Sequence, residues 1–257
     1  MLKLIREVRD QAFAAATAFR KSVDVRGVTL SLHGVSPRMR YVMCAGYEGE
    51  DARLAAEVIT PADAVLEVGG AIGFMAIYCM KHLGVREYCI VEANPHLVPA
   101  IRRNFALNHL PPARVVHAAV CASDGETAFG INRDFWSSST LERPGATTTT
   151  VPARSLPSLL AELPFRPTTL IMDIEGGEAA LPHEHFAPFD KLLIEVHPRL
   201  VGEEAAAALL AGLRSLGFAE AWRIGGSYAF VKPPRAASPR PGAYAAPAPA
   251  SCRGGPG

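Results

Sequence analysis

Apolar runs that end in carboxylates are the residues most able to do chemistry in this chain. Glu67 stands in Ala64-Val65-Leu66-Glu67-Val68, and Glu92 closes Tyr88-Cys89-Ile90-Val91-Glu92. Asp173 follows Thr169-Leu170-Ile171-Met172, with Glu175 and Glu178 just beyond it; Glu195 and His197 close Lys191-Leu192-Leu193-Ile194-Glu195-Val196-His197. A carboxylate straight after apolar strand residues is costly without a partner, so Asp173 in particular points to a ligand. The first run leads into a glycine-rich turn, Gly69-Gly70-Ala71-Ile72-Gly73, whose positions without a Cβ let backbone approach a ligand at the start of a new helix. This turn is not a full G-x-G-x-x-G, and Glu67 would repel a pyrophosphate, which disfavours a dinucleotide. Glu92 lies near the roughly 20-residue offset at which such units accept hydrogen bonds from ribose hydroxyls. A ligand with a ribose, a cationic centre and no phosphates matches both acids, and S-adenosylmethionine is such a molecule.

The elements needed to position these groups can be read in order. Ala64 to Val68 predicts a buried strand, Met75 to Leu83 a helix, Tyr88 to Glu92 a second strand, and Pro95 to Leu107 a second helix with Asn94 as its N-cap. Arg114 to Cys121 reads as a third parallel strand, followed by a turn and a short strand through Phe129. The fourth and fifth strands end in Asp173 and in Glu195 and His197, the last two on one face by alternation. A helix from Glu203 to Leu216 and a hairpin across Gly225-Gly226 complete the pattern. In an open α/β sheet the carboxyl ends of the strands face the ligand crevice, so these acids converge there. His197 is the leading general base and, with Asp173 and Glu175, forms the catalytic set. Glu175 and Glu178 also suit the first turn of a helix. A hard cation could use Asp173, Glu175 or Glu178, but capping explains the same acids and no metal is assigned.

Val65-Leu66-Glu67-Val68-Gly69-Gly70-Ala71-Ile72-Gly73, Val91-Glu92-Ala93-Asn94-Pro95, Asn104 to Asn108, Leu170 to Glu178 and Ile194-Glu195-Val196-His197-Pro198 together resemble the FkbM family of class I S-adenosylmethionine-dependent methyltransferases. The resemblance runs from about Tyr47 to Lys232, and the Asp-x-Glu-Gly-x-Glu run is its most specific part. It implies a Rossmann-like, doubly wound, seven-stranded and mostly parallel sheet with the last strand antiparallel and helices on both faces. It implies a cofactor site of Glu67, Gly69, Gly70, Ala71, Gly73, Glu92, Ala93, Asn94, Ala119, Val120 and Asp173, with Ala119 and Val120 beside the adenine and Tyr47 and Glu48 bordering it. It further implies O-methylation of a hydroxyl on a sugar, glycolipid or secondary metabolite.

Composition bounds the alternatives. The 257 residues suit one large α/β domain at 47–232, preceded by a helical and β extension at 1–46 and followed at 233–257 by a Pro-, Ala- and Gly-rich tail expected to be disordered. A net charge of +1 with no basic stripe disfavours nucleic acid as the main partner. Methyl transfer to nitrogen in nucleic acid or protein, and donor binding without catalysis, remain the rival functions. Five scattered cysteines suggest reduced thiols in a cytoplasmic protein. A signal-like start is interrupted by Glu7, Arg9 and Asp10, and no apolar run is long enough to span a membrane. An amphipathic helix from Lys3 to Lys21 is expected to pack on the domain or a partner, with peripheral membrane contact as its other use. Asp134 to Thr140 reads as a substrate lip, with Trp136 stacking on a sugar or covering the core. His117 reads as a strand residue, and His183 and His185 as parts of a surface loop.

Overall fold

The computed structural model describes residues 2–112, 114–132, 134, 139–141 and 146–233. The chain begins with α1 (Leu2–Ala16), a hairpin of β1 (Ser22–Val25) and β2 (Val28–Ser31), then α2 (Pro37–Gly46) and α3 (Gly49–Val58). The units β3 (Ala64–Val68), α4 (Phe74–His82), β4 (Glu87–Glu92), α5 (Val98–Leu107) and β5 (Arg114–His117) follow. Next come β6 (Ala119–Val120), β7 (Gly125–Ile131), β8 (Thr147–Arg154), α6 (Leu156–Glu162) and β9 (Thr169–Met172). Two 3-10 turns, Gly177–Ala180 and His183–Phe186, lead to β10 (Lys191–Glu195), α7 (Pro198–Val201), α8 (Glu203–Ser215), β11 (Ala219–Ile224) and β12 (Ser227–Val231).

Seven strands form one sheet in the order β11-β12-β10-β9-β3-β4-β5. The five from β10 to β5 run parallel, and β12 is antiparallel to both of its neighbours. Because the strands are buried on both sides, alternate residues feed two cores. Val65, Ile90, Ile171 and Leu193 pack with α3, α4, α5 and the N-terminal hairpin. Leu66, Cys89, Leu170 and Leu192 pack with α6 and α8 on the opposite face. This is the doubly wound sheet expected from the sequence. After β5 the chain returns to the other side of β3, and the reversal opens a crevice at the carboxyl ends of β3, β4 and β9.

Several local expectations are corrected. The run read as one third strand splits: Ala118 N donates to Glu92 O at 3.2 Å, and β6 then leaves the main sheet to pair with β8 in a separate order β6-β8-β7. The second helix begins at Val98, not Pro95, because the Asn94 side chain accepts from His96 N at 3.0 Å in a turn rather than capping the helix. The first helix stops at Ala16, where Arg40 takes the carbonyls of Thr17 and Arg20 at 2.8 and 3.2 Å. His183 and His185 belong to a 3-10 turn rather than a loop, and the His183 ring packs so tightly on α8 that a Cβ at Gly212 would lie 2.1 Å from it.

The hairpin is fastened to the domain by Asn104 of α5 and by Asn108, which caps the carboxyl end of that helix. Asn104 accepts from Ser31 N at 2.8 Å, and Asn108 bonds both backbone groups of Thr29. Ser36 and Ser155 cap α2 and α6, accepting from Met39 N and Ser158 N. Trp136 and residues 234–257, the latter nearly all of the expected tail, lie outside the described residues.

Candidate active site

The turn after β3 is held by contacts that only glycine permits. Gly69 has φ +89°, and a Cβ there would sit 1.8 Å from the Asp173 carbonyl oxygen. Its absence lets the ends of β3 and β9 close together, with Asp173 N donating to Val68 O at 3.1 Å. Glu92 fixes the turn from the other side. One carboxylate oxygen accepts from Ala71 N and the other from Asn94 N, both at 2.7 Å. Burial pushes the Glu92 carboxyl up to about 7, against the lowering effect of these backbone N–H groups. The Ala93 N–H acts in the same sense, and the carboxylate keeps acceptor capacity beyond these three groups.

Above this turn lies a cleft with about 670 Å³ of empty space, its open mouth included. One end is apolar, formed by Ala93, Leu97, Ala118, Ala119, Val120 and Phe129; the other is acidic, formed by Glu48, Asp173 and Glu175 with Tyr47 and Thr140. A second chamber shares Tyr47, Glu48, Val68, Gly69 and Asp173 with it and adds Asp51, Glu67 and Glu195. Glu67 is 4% exposed, and its Oε2 has no hydrogen-bond partner. Burial raises Glu67 to about 7, with the nearby Tyr88 hydroxyl lowering it and the charge of Glu92 raising it.

His197 stands behind the acidic end, in contact with its acids but not itself lining the cleft. Its Nδ1 is 3.1 Å from Glu178 Oε1, and Glu178 is fully buried with its other oxygen accepting from Gly176 N. The opposite ring nitrogen, Nε2, faces Asp173 Oδ1 at 3.6 Å, Glu195 Oε1 at 3.6 Å and Glu175 Oε2 at 3.8 Å. Burial disfavours the imidazolium, but the hydrogen bond and charge of Glu178, helped by Glu195 and Glu175, outweigh it and raise the pKa above 6.5. Asp173 is raised well above the usual carboxylate range, first by loss of water in the crevice and then by Glu195, Glu175, Glu48 and Glu178. Ligand atoms of Asp173, Glu175 and His197 all fall within 4.8 Å of one another, close enough to share a divalent cation. Glu178, weighed with them from the sequence, instead lies on the far side of the imidazole.

Residues 67–218 match the family model described as Methyltransferase FkbM domain. The chain belongs to that family. No curated protein matches it. Among solved structures it is similar to an FkbM methyltransferase from Methylobacillus flagellatus KT, at 13% identity over 87% of this chain and 59% of that one, with a TM-score of 0.43. It is also similar to a methyltransferase from Pyrococcus furiosus, at 14% identity over 90% and 98% with a TM-score of 0.43. M. jannaschii TYW2 in complex with AdoMet aligns at 12% identity over 82% of both chains, with a TM-score of 0.42.

The protein is thus an FkbM-domain methyltransferase, and its methyl donor is S-adenosylmethionine. The residues fit that donor: an apolar slot for a base, a buried acid with spare lone pairs at the end of β4 for a diol, and carboxylates beyond the glycine turn for a cation. Of the residues expected at the donor site, Gly69, Ala71, Glu92, Ala93, Ala119, Val120 and Asp173 line this cleft. Glu67 and Gly70 do not; they line the adjoining chamber, because Glu67 points to the opposite sheet face from Leu66. Gly73 touches neither cavity and makes room for Ile101 and Phe105 beside α4. The Asn94 side chain is turned into a separate hollow beside His96 and Arg103, so it contributes its backbone N–H to Glu92 rather than a side-chain contact in the cleft.

Asp173, Glu175 and His197 do come together, and Glu178 joins them in a part that sequence reasoning missed. Its only signal was a place in the Asp-x-Glu-Gly-x-Glu run. Phe129 and Leu97 were also missed, since nothing in the sequence announced the small β6-β8-β7 sheet that carries Phe129 to the cleft, whereas Thr140, the last residue of the expected lip, does line it. His117 bonds the Ala93 carbonyl at 3.0 Å and plays the structural part expected of it. Asp134 accepts from Ser36 Oγ at 2.7 Å and pairs with Arg38, so this end of the expected lip is fastened to α2. Among the described residues no helix is long and apolar enough to cross a membrane.

Proposed function

We propose that the protein transfers a methyl group to a hydroxyl of a sugar, glycolipid or secondary metabolite. S-adenosylmethionine, when bound, supplies a methyl group made electrophilic by its sulfonium. Glu92 would accept the ribose hydroxyls, and Ala93, Ala119 and Val120 would enclose the adenine. Glu67 would take the ammonium of the methionine end, with the backbone of the Gly69 to Gly73 turn beneath it. Such a transfer depends mainly on alignment, with a base to remove the acceptor's proton.

One observation supports this reading: the His197 imidazole is gripped at Nδ1 by buried Glu178 and turns Nε2 to Asp173 and Glu175, the acids that line the end of the cleft. Nε2 would take the hydroxyl proton, while Asp173 and Glu175 position the acceptor. Four described cysteines, Cys44, Cys79, Cys89 and Cys121, are free thiols, which supports a reducing, cytoplasmic setting. The test is incubation with methyl-labelled donor and separate pools of glycans, lipids, small hydroxylated metabolites, RNA and protein. Label in a hydroxyl of the first three is the expected result. Label in RNA or protein nitrogen would contradict it, and no transfer to any pool would favour a binding protein.

A further inference from the structure

We propose that the outward face of α1 docks the protein on an anionic membrane surface. Such docking goes beyond the methyl-transfer reading above and does not depend on which acceptor is used. Six large apolar side chains are exposed among the described residues, and three of them, Ile5, Val8 and Phe19, at 58%, 62% and 77%, belong to α1 and the turn that follows it. The others, Leu107, Leu200 and Trp222, stand singly on α5, α7 and β11. Ile5, Val8 and the exposed Ala12 and Ala15 recur at steps of three and four, which is one face of a helix, and Phe19 follows four residues later.

An apolar stripe on a surface helix normally turns toward the core. Here the described residues of 5–19 that are buried are polar ones, Asp10 and Thr17. The helix is nonetheless fastened to the domain. The Phe13 ring meets Tyr41 edge-on at 5.3 Å, Arg9 lies over the same ring at 3.8 Å and holds Asp10, and Arg40 takes the Thr17 carbonyl at 2.8 Å. The stripe therefore faces outward because the opposite face of α1 is the one that is packed. Apolar surface aligned along one exposed face is unfavourable in water and marks a docking surface, whereas single apolar residues do not.

Charge selects the partner. Asp10 is buried and already held by Arg9, so the charges left around the stripe are Arg6, Arg20 and Lys21 against Glu7, all four exposed and none in an ion pair among the described residues. An apolar stripe with an excess of cations beside it suits a helix lying in the plane of a lipid interface, its apolar side chains among the acyl chains and its cations at lipid phosphates. Phe19 and Arg20 set the two parts side by side, with the guanidinium 5.9 Å from the ring. A second copy of the chain fits this face less well. Pairing two stripes would bring like charges together, and two branched side chains, small alanines and one ring make a narrow face beside the roughly 1,200 Å² that a stable interface buries.

The test is flotation of the full-length protein, without donor or acceptor, with vesicles of phosphatidylcholine alone and of phosphatidylcholine mixed equally with phosphatidylglycerol. The mixed vesicles should bind it at least about tenfold more tightly than the neutral ones, and the binding should weaken as salt is raised. Val8→Asp and Phe19→Asp, made separately at positions exposed enough to leave the fold intact, should each lower that binding about tenfold, with the thermal unfolding midpoint unchanged. Arg20→Glu combined with Lys21→Glu should remove the preference for the anionic vesicles. No binding to either vesicle, equal binding to both, or binding that survives both aspartate substitutions would overturn the proposal. So would a lipid-free dimer in light scattering that Val8→Asp breaks, since the stripe would then belong to a second copy.

Discussion

The two ends of the crevice are built on opposite principles. At the apolar end the one acid, Glu92, has both oxygens satisfied by backbone N–H groups, and its neighbours are small apolar residues on strand ends. At the acidic end Asp173, Glu175 and Glu195 crowd one imidazole, Glu67 keeps an unpaired oxygen, and Glu48 is pushed up to about 8, mainly by burial and then by Asp51. A site that must hold a constant ligand part can be finished in the folded protein. A site that must meet incoming positive charge and move a proton is left electrostatically incomplete, at a cost in stability.

The largest expected effect removes the distinction altogether. Gly69→Ala would place a methyl group against the Asp173 carbonyl at 1.8 Å, at a φ of +89° that L-residues avoid, so the ends of β3 and β9 must separate. A loss of more than about 3 kcal/mol in a denaturant titration is expected, together with loss of donor binding. Unchanged stability would mean that the two strand ends are not closed as described.

His197→Ala strikes the acidic end alone. Turnover should fall by about 10² to 10⁴, with donor affinity changed by less than about threefold. Because the imidazole pKa is raised, kcat/KM of the wild type should climb with pH through a midpoint above 6.5. Glu178→Gln should cost less, about tenfold in kcat, and move that midpoint down, since it removes the charge that favours the imidazolium. A pH profile identical to wild type would leave Glu178 a merely structural residue.

Glu92→Ala strikes the apolar end. It removes the ribose acceptor and also frees Ala71 N and Asn94 N, so donor affinity should fall about 10- to 100-fold by calorimetry with kcat at saturation less affected. The smallest effect separates the ends by pH. Carboxyls raised on folding bind protons more tightly in the folded state, so their contribution to stability is full below about 4.5 and is lost as pH rises through 7 to 8. The donor-free protein should therefore be more stable at pH 5 than at pH 8. Glu67→Gln should recover about 1–3 kcal/mol at pH 8 and little at pH 5. No difference between the two pH values would show that the acids are not desolvated.

How much of this could be read in the sequence follows the same division. Gly69, Glu92 and Asp173 were legible because a strand end, a turn and a carboxylate stand next to one another in the chain. The direction of Glu67 was not, since β3 is buried on both faces and its apolar run carries no alternation to say which side a residue takes. Asn94 misled because the residue before a proline suits a cap and a turn equally, and the chain chose the turn. Glu178 was hidden for a different reason. Its partner His197 lies on another strand end, and only the pairing of β9 with β10 brings the two loops together.

The central claim is that the donor lies across the carboxyl ends of β3 and β4 with its sulfur toward the acidic end, and a crystal structure with S-adenosylhomocysteine bound tests it most directly. Ribose hydroxyls about 3 Å from Glu92, the base between Leu97 and Val120, and the sulfur on the Asp173 side are the expected result. A ligand seated in another hollow, or with its ribose away from Glu92, would contradict it.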